Sequence, residues 1–176
     1  MTAQPILAAV ARALKKVNLD AVLIGNAAAA LHGAPVTTID LDFFIRKSPG
    51  NLRKLKALAI ELNGIILRPF YPVSGLYRLS RNPDNLQLDF MTAIDGVNSF
   101  EGVRARSSEF AIGEQPLRVA ALSDIVASKT AANRPSDRAV LDILKATLNE
   151  ENSASETKAE KPAKPGRNPR RPQARK

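Results

Sequence analysis

The 176-residue sequence has no cysteine and a single histidine, His32. Without cysteine, neither a disulfide nor a thiolate metal centre can form, and a reducing compartment is the natural setting. One histidine is too few for a histidine zinc site and makes a Ser/His/Asp triad improbable. Long apolar runs are missing as well, and none approaches the roughly 20 residues of a membrane span. The apolar stretch Pro5–Val17 is interrupted by Arg12, Lys15 and Lys16. Its charges follow the apolar residues, the reverse of the order in a signal peptide. A mitochondrial presequence fits poorly because a core strand follows almost at once. The expectation is a cytoplasmic protein without a membrane partner.

Acids are scarce at the C-terminus. From Glu151 to Lys176, 8 Lys/Arg stand against 3 Glu, whereas the preceding 150 residues carry 18 against 14, within a formal charge of +9. The excess positive charge is concentrated at one end, which points to an acidic partner, nucleic acid first. This segment also has almost no large apolar residue and is rich in Lys, Arg, Pro and Glu, a composition that predicts disorder. With 44% hydrophobic residues overall, the rest can build one core. The predicted organisation is an α/β domain over residues 1–150 and a disordered basic tail over 151–176. The domain is expected to be a small mixed β-sheet flanked by helices, ending in C-terminal helices.

Along the chain, Ile6, Leu7, Val10, Leu14 and Val17 recur at helical spacing and predict an amphipathic helix near residues 4–17. The run AVLIG (Ala21–Gly25) reads as a strand, and NAAAALHG as a short helix ending at Gly33. After Ala34-Pro35 comes a second strand. Pro49-Gly50 breaks the chain ahead of a helical stripe of Leu52, Leu55, Leu58, Ala59 and Leu62, with Gly64 placed to terminate it. GIILRPF, GLYRLS, NLQLDFMT, GVRARS and PLRVA read as β-like runs, separated by turn signals at Pro72, Asn82-Pro83, Asp95-Gly96 and Gly113. Ser123 is a candidate cap for a helix from Asp124. Pro135 starts or kinks a last helix that reaches about Leu148.

The second strand poses a chemical problem. In TTIDLDFFI, Asp40 and Asp42 share one strand face inside an apolar run. Two carboxylates side by side repel each other and lose hydration, at a cost of several kcal/mol in order of magnitude unless a cation compensates. Asp89, in LQLDFM, repeats the pattern. If the two strands are neighbours, three hard oxygen donors converge, a set that suits Mg²⁺ or Mn²⁺. Two such ions about 3.5–4 Å apart could clamp the attacking and leaving oxygens of a phosphoryl or nucleotidyl transfer. Just upstream, Gly25-Asn26 joins a strand to a helix. Glycine permits close backbone approach, the helix start offers free N–H groups to a triphosphate, and Asn26 can cap the helix and touch a phosphate.

VLIGNAAAALHGAPVTTIDLDFFI resembles the nucleotidyltransferase superfamily related to DNA polymerase β, whose signature is a strand, Gly-Gly or Gly-Ser, a short helix and a strand with Asp-x-Asp. The His-Gly before the turn, and Thr38 two residues before Asp40, look most like the minimal branch that holds the AbiEii and MenT-type toxins. LSDIVASKTAANRPSDRAVLDIL is similar to that branch's helical segment, with Lys129, Arg134 and Asp137 at the matching positions. The resemblance covers residues 20–148. It implies a nucleotidyltransferase fold with Asp40, Asp42 and Asp89 as catalytic and metal-binding acids. Gly25, Asn26, Thr38 and Lys129 would bind the nucleotide. It further implies an NTP substrate, tRNA as a candidate acceptor reached with help from the basic tail, and a possible cognate antitoxin. The chain departs from the pattern at Asn26, where Gly or Ser is usual, and at Val36, where many relatives have Arg. These departures support an alternative: a non-catalytic nucleotide- or RNA-binding module on a degenerate nucleotidyltransferase fold.

Simpler roles stand beside these. Surface acids on an exposed strand face would also give the Asp pattern, and Thr38 is a residue that favours strands. Arg134 and Asp137 can form an ion pair at a helix start. His32 reads as a helix-end residue, since a two-metal site needs no histidine base. Arg78, Arg81, Arg104 and Arg106 read as solvated strand residues that could line an acceptor groove.

Overall fold

The structure, a computed structural model, describes residues 3–38, 40–67, 75–81 and 85–159. The turn signals at Pro72 and Asn82-Pro83, Ile39 and the tail from residue 160 lie outside the described residues. Among the described residues, six helices and seven strands follow in the order α1 Ala3–Lys16, β1 Ala21–Ile24, α2 Gly25–Leu31, β2 Leu41–Ile45, α3 Pro49–Glu61, β3 Ile65–Leu67, β4 Leu76–Arg81, β5 Leu86–Met91, α4 Phe100–Arg106, β6 Ser108–Ile112, β7 Gln115–Val119, α5 Leu122–Ala132 and α6 Pro135–Ala159. The strands form one mixed sheet in the order β3-β4-β5-β2-β1-β7-β6. The α/β class with helices packed on a mixed sheet is the one expected.

The central strands read as short apolar runs because both faces are covered. All four residues of β1 are buried, as are Phe43, Phe44 and Ile45 of β2. Phe43 stacks on Phe90 at 5.2 Å, and Phe44 meets Phe100 of α4 edge-on at 5.6 Å. Successive residues of β2 point to opposite faces, so the two rings anchor the strand on both sides. Of the stripe its spacing predicts, α1 buries Leu7, Val10 and Leu14, with Ile6 and Val17 partly buried beside them and Ala11 buried as well.

Several boundaries differ from expectation. Pro49 and Gly50 do not break the chain; they form the first turn of α3. The Ser48 hydroxyl accepts the Asn51 N–H at 3.1 Å, and proline at the start of a helix has no N–H to leave unpaired. At the other end the left-handed residue is Asn63, with φ 52°, while the Gly64 N–H returns to Ala59 O at 2.8 Å. GVRARS is not a strand. Ser99 accepts the Gly102 N–H at 3.1 Å and starts α4. α5 begins at Leu122, so Ser123 lies inside it rather than capping it. α6 runs to Ala159, nine residues into the segment whose composition predicts disorder.

Candidate active site

Parallel pairing of β2 with β5 sets Asp42 directly beside Asp89, and antiparallel pairing of β5 with β4 sets Asp89 beside Arg78. On the other side of β2, Asp42 pairs with Ile24, the last residue of β1. One row of side chains therefore crosses four strands. The two strands carrying the acids are adjacent, as the three-acid reading requires.

Arg78 supplies a cation that the sequence did not reveal. Its Nε and Nη2 donate to Asp89 Oδ1 and Oδ2, each at 2.7 Å, in a bidentate pair over a nearly buried carboxylate. That hydrogen bonding pushes the Arg78 guanidinium further up from its ordinary value, keeping it charged. Arg78 is therefore not a solvated strand residue. A charge in the alternating run LYRLS, at the register position of an acid, was the available signal.

Asp42 has no such partner. Among the described residues neither it nor Asp40 forms a salt bridge. Burial, then the charges of Asp40 and Asp89, push the Asp42 carboxyl up to about 6, against the opposing pull of Lys129 and Arg134. Asp40 lies just before β2, where the Thr38 hydroxyl donates to its carbonyl at 2.8 Å and reaches Oδ1 at 3.2 Å. Thr38 thus holds the turn that delivers Asp40.

Gly25 fits this geometry for a steric reason. Its φ is 69°, and a Cβ there would overlap Asp42 Oδ2. The glycine lets the carboxylate lie against the turn between β1 and α2. Asn26 differs from expectation. The residue that caps α2 is Ile24, without a side-chain cap, and the Asn26 amide N–H donates to Thr37 O at 3.3 Å. Its Oδ1 is buried without a partner among the described residues. Asn26 therefore braces the loop that carries Thr38 and Asp40. Val36 packs partly buried against the core.

A cleft of about 240 Å³ opens beside Asp42, lined among others by Gly25, Asp95, Asp124, Lys129 and Arg134. Lys129 Nζ is 3.1 Å from Asp137 Oδ1, and Arg134 Nε is 2.7 Å from Asp137 Oδ2. Burial alone would raise the Asp137 carboxyl; the hydrogen bonds from Arg134 and Lys129 override it and hold the group below the usual carboxylate range. The Arg134–Asp137 pair at the start of α6 is the one expected. Two cations share one acid, which leaves a net positive charge across the cleft from Asp42. Asp124 is buried and bound by Arg106 at 2.8 Å. Sequence reading passed over both Asp95 and Asp124, because an acid in a turn and an acid in a first helical turn are common without function.

His32 follows α2, as a helix-end residue should. Its Nε2 lies 2.9 Å from Ala120 O and its Nδ1 2.7 Å from Glu151 Oε1. It ties the end of α2 to the distal part of α6, away from the acids.

Among the described residues, no three His, Cys, Asp or Glu side chains converge closely enough to hold a metal ion by themselves. Asp40 and Asp42 are nonetheless hard donors without an ion-pair partner among the described residues, and Lys129 and Arg134 only partly offset the charge around Asp42. That pair fits a small divalent ion such as Mg²⁺ or Mn²⁺, which is commonly held by one or two carboxylates together with substrate phosphates and water.

Residues 3–163 match the model of a family described as nucleotidyl transferase of unknown function (DUF2204). Among curated proteins none matches. In fold, the chain is similar to the antibiotic-resistance factor ANT(2'')-Ia. The crystal structure of that protein with adenylyl-2''-tobramycin superposes with a TM-score of 0.59 at 15% identity, over 90% of this chain and 97% of that one. Its solution structure gives 0.57 at 13% identity, over 89% and 94%. An antigenic nucleotidyltransferase-like protein from Paracoccidioides brasiliensis gives 0.52 at 17% identity, over 92% and 78%. Among the described residues, no helix is long and apolar enough to cross a membrane.

Proposed function

This chain belongs to the family of nucleotidyl transferases of unknown function, and on that premise we propose that it moves a nucleotidyl group from an NTP to an acceptor hydroxyl with Mg²⁺ or Mn²⁺. The observation that carries the reading is the row Arg78–Asp89–Asp42 closed against Gly25, with Asp42 left unneutralised. Asp40 and Asp42 would hold the divalent ion, with Asp89 alongside. The bound ion would supply Lewis-acid stabilisation of charge on the phosphate oxygens. Gly25 and the backbone at the start of α2 would approach the phosphates, and Lys129 would face them as a cation. Thr38 and Asn26 keep the Asp40 turn in place against that site. Asp89, held by the bidentate pair with Arg78, would help activate the acceptor hydroxyl. The acceptor oxygen forms a bond to the α-phosphorus while the bond to the β-phosphate bridging oxygen breaks, and pyrophosphate leaves.

For the acceptor, the likeness to the AbiEii and MenT-type branch favours tRNA, and the basic tail agrees with an RNA partner and leaves room for a cognate antitoxin. ANT(2'')-Ia, whose crystal structure holds adenylyl-2''-tobramycin, suggests a small polyamine acceptor instead. A cleft wall bearing Asp42 and Asp95 suits that too. A sequence without cysteine suits a reducing compartment, and a cytoplasmic location is part of this reading.

A second reading rests on Asn26. One N–H of its side-chain amide is committed to Thr37 O, so Asn26 braces a loop where the family pattern has Gly or Ser, which favours a nucleotide-binding module without turnover. Calorimetry of the four NTPs, with Mg²⁺ and with EDTA, on wild type and on Asp40→Asn/Asp42→Asn tests the site. Binding that needs both the ion and the acids is expected. Binding that survives EDTA and both substitutions would overturn the placement. Pyrophosphate release with an RNA pool or an aminoglycoside then separates the acceptors, and binding without release supports the second reading.

A further inference from the structure

The folded body separates its charge in a way the transfer reaction does not require. Residues 1–19 and 43–60 carry eight Lys/Arg and no Asp or Glu. The remainder of the first 150 residues carries 10 Lys/Arg against 14 Asp/Glu. The two basic segments are distant in sequence, yet they include α1 and α3, which pack together. Lys16 Nζ meets Glu61 at 2.7 Å, and Lys54 Nζ donates to Asn18 O at 2.6 Å. On each helix the cations take the solvent side: Arg12, Lys15 and Lys16 on α1, and Arg53 and Lys56 on α3, are exposed. Lys47, in the link before α3, is exposed as well.

The nearby acids are already used. Glu61 is paired with Lys16, Glu101 with Arg46, and Asp20 with Arg104. Among the described residues, Arg12, Lys47, Arg53 and Lys56 have no acidic partner. Free cations gathered on one surface raise the local potential and draw a polyanion.

We propose that the paired outer faces of α1 and α3 form a docking surface for the phosphate backbone of RNA. The charge asks for phosphates, and the shape asks for a long ligand, because the cations spread along two helices and the link before α3. Of the large apolar residues on these two helices only Ile60 is strongly exposed, so the face lacks the apolar side that a membrane-surface helix buries. The strand that runs into the second segment leads to the acids: β2 carries Asp42 near its start, and Lys47 lies two residues beyond its end. At about 3.3 Å per residue that separation is on the order of 15 Å, a span that a polynucleotide covers and a small acceptor does not. The surface is independent of the tail, and its failure would leave the NTP-binding reading of the acids untouched.

The test is a full-chain Arg12→Gln/Arg53→Gln/Lys56→Gln variant, with its tail intact. Binding of unfractionated tRNA is titrated at several salt concentrations. Each lost phosphate contact should lower the slope of log affinity against log salt by about 0.7–0.9, so the triple variant should lose about two units of slope and roughly tenfold or more in affinity at low salt. Mg²⁺-dependent NTP binding should be unchanged, which also shows that the variant is folded. An Arg12→Lys/Arg53→Lys variant should keep both affinity and slope. Unchanged tRNA binding in the triple variant would overturn the proposal and leave the tail as the RNA contact. So would equal loss in the charge-conserving variant, or tight binding to phosphatidylserine vesicles without binding to tRNA.

Discussion

Asp42 makes the most direct prediction, because its environment sets a sign, a size and a pH window together. Burial and the charges of Asp40 and Asp89 push its carboxyl from 3.8 to about 6. The folded protein therefore binds this proton more tightly than the unfolded chain does. Stability falls as pH rises from about 4 to about 6 and stays lower above that. Two pH units at about 1.36 kcal/mol each correspond to about 3 kcal/mol. Asp42→Asn keeps the shape and removes the charge. At pH about 8 the variant should be more stable than wild type by about 2–3 kcal/mol; the advantage should shrink below pH about 6 and vanish near pH about 4. Urea unfolding followed by circular dichroism across that range reads it as a shift in midpoint at constant slope. The same variant should lose Mg²⁺-dependent NTP binding, so that stability and function move in opposite directions. Equal midpoints at pH about 8, or an advantage that does not change with pH, would refute the argument by showing that its neighbours do not destabilise the Asp42 charge.

Three further substitutions probe the surroundings. Gly25→Ala would place a Cβ against Asp42 Oδ2 in a left-handed backbone; a stability loss of about 1–2 kcal/mol should accompany loss of Mg²⁺-dependent NTP binding, and calorimetry finding wild-type affinity would count against the close contact. Asp137→Ala strands Lys129, whose side chain is only 13% exposed; a cost on the order of 3 kcal/mol is expected at neutral pH. Because the Asp137 carboxyl is depressed, that contribution is present above its unfolded value and lost only as pH falls below it, so wild type and variant should converge in strong acid; a constant difference there would argue against the pair. His32 has a carbonyl on one ring nitrogen and a carboxylate on the other, so both contacts are hydrogen bonds only when the ring carries two protons or Glu151 carries one. Glu151→Ala removes the carboxylate from this contact, and NMR order parameters of residues 149–159 should fall; unchanged order parameters would contradict the contact.

What could be read in advance was local. β1, β2 and β5 were legible because short apolar runs between turn residues carry their own signal, and the spacing of Leu7, Val10 and Leu14 marked α1 before any contact was known. The errors came where a distant partner or a single cap decides. GVRARS alternates charge with small apolar residues as a strand would, but the Ser99 cap and burial of Val103 turn it into α4. The stretch after Asn149 lacks the apolar residues to build a core, yet to Ala159 it needs none. It prolongs a helix already begun at Pro135, and Glu151 reaches His32 from more than a hundred residues away.

Register is what separates the three acids, and composition cannot express register. In the sequence Asp40, Asp42 and Asp89 pose the same question of a missing cation. In the sheet, Asp89 is answered by Arg78, while Asp42, one strand over, has no ion-pair partner among the described residues. This division follows from what a metal–nucleotide site requires. Three acids each paired with an arginine would be stable and would have little attraction for an incoming ion. Three unpaired acids would add the repulsion of Asp89 to a fold that already carries the charge of Asp42, against a total stability of only about 5–15 kcal/mol. Neutralising Asp89 lowers the repulsion at its source and leaves Asp42 and Asp40 as the place where the remaining negative charge can be met from outside.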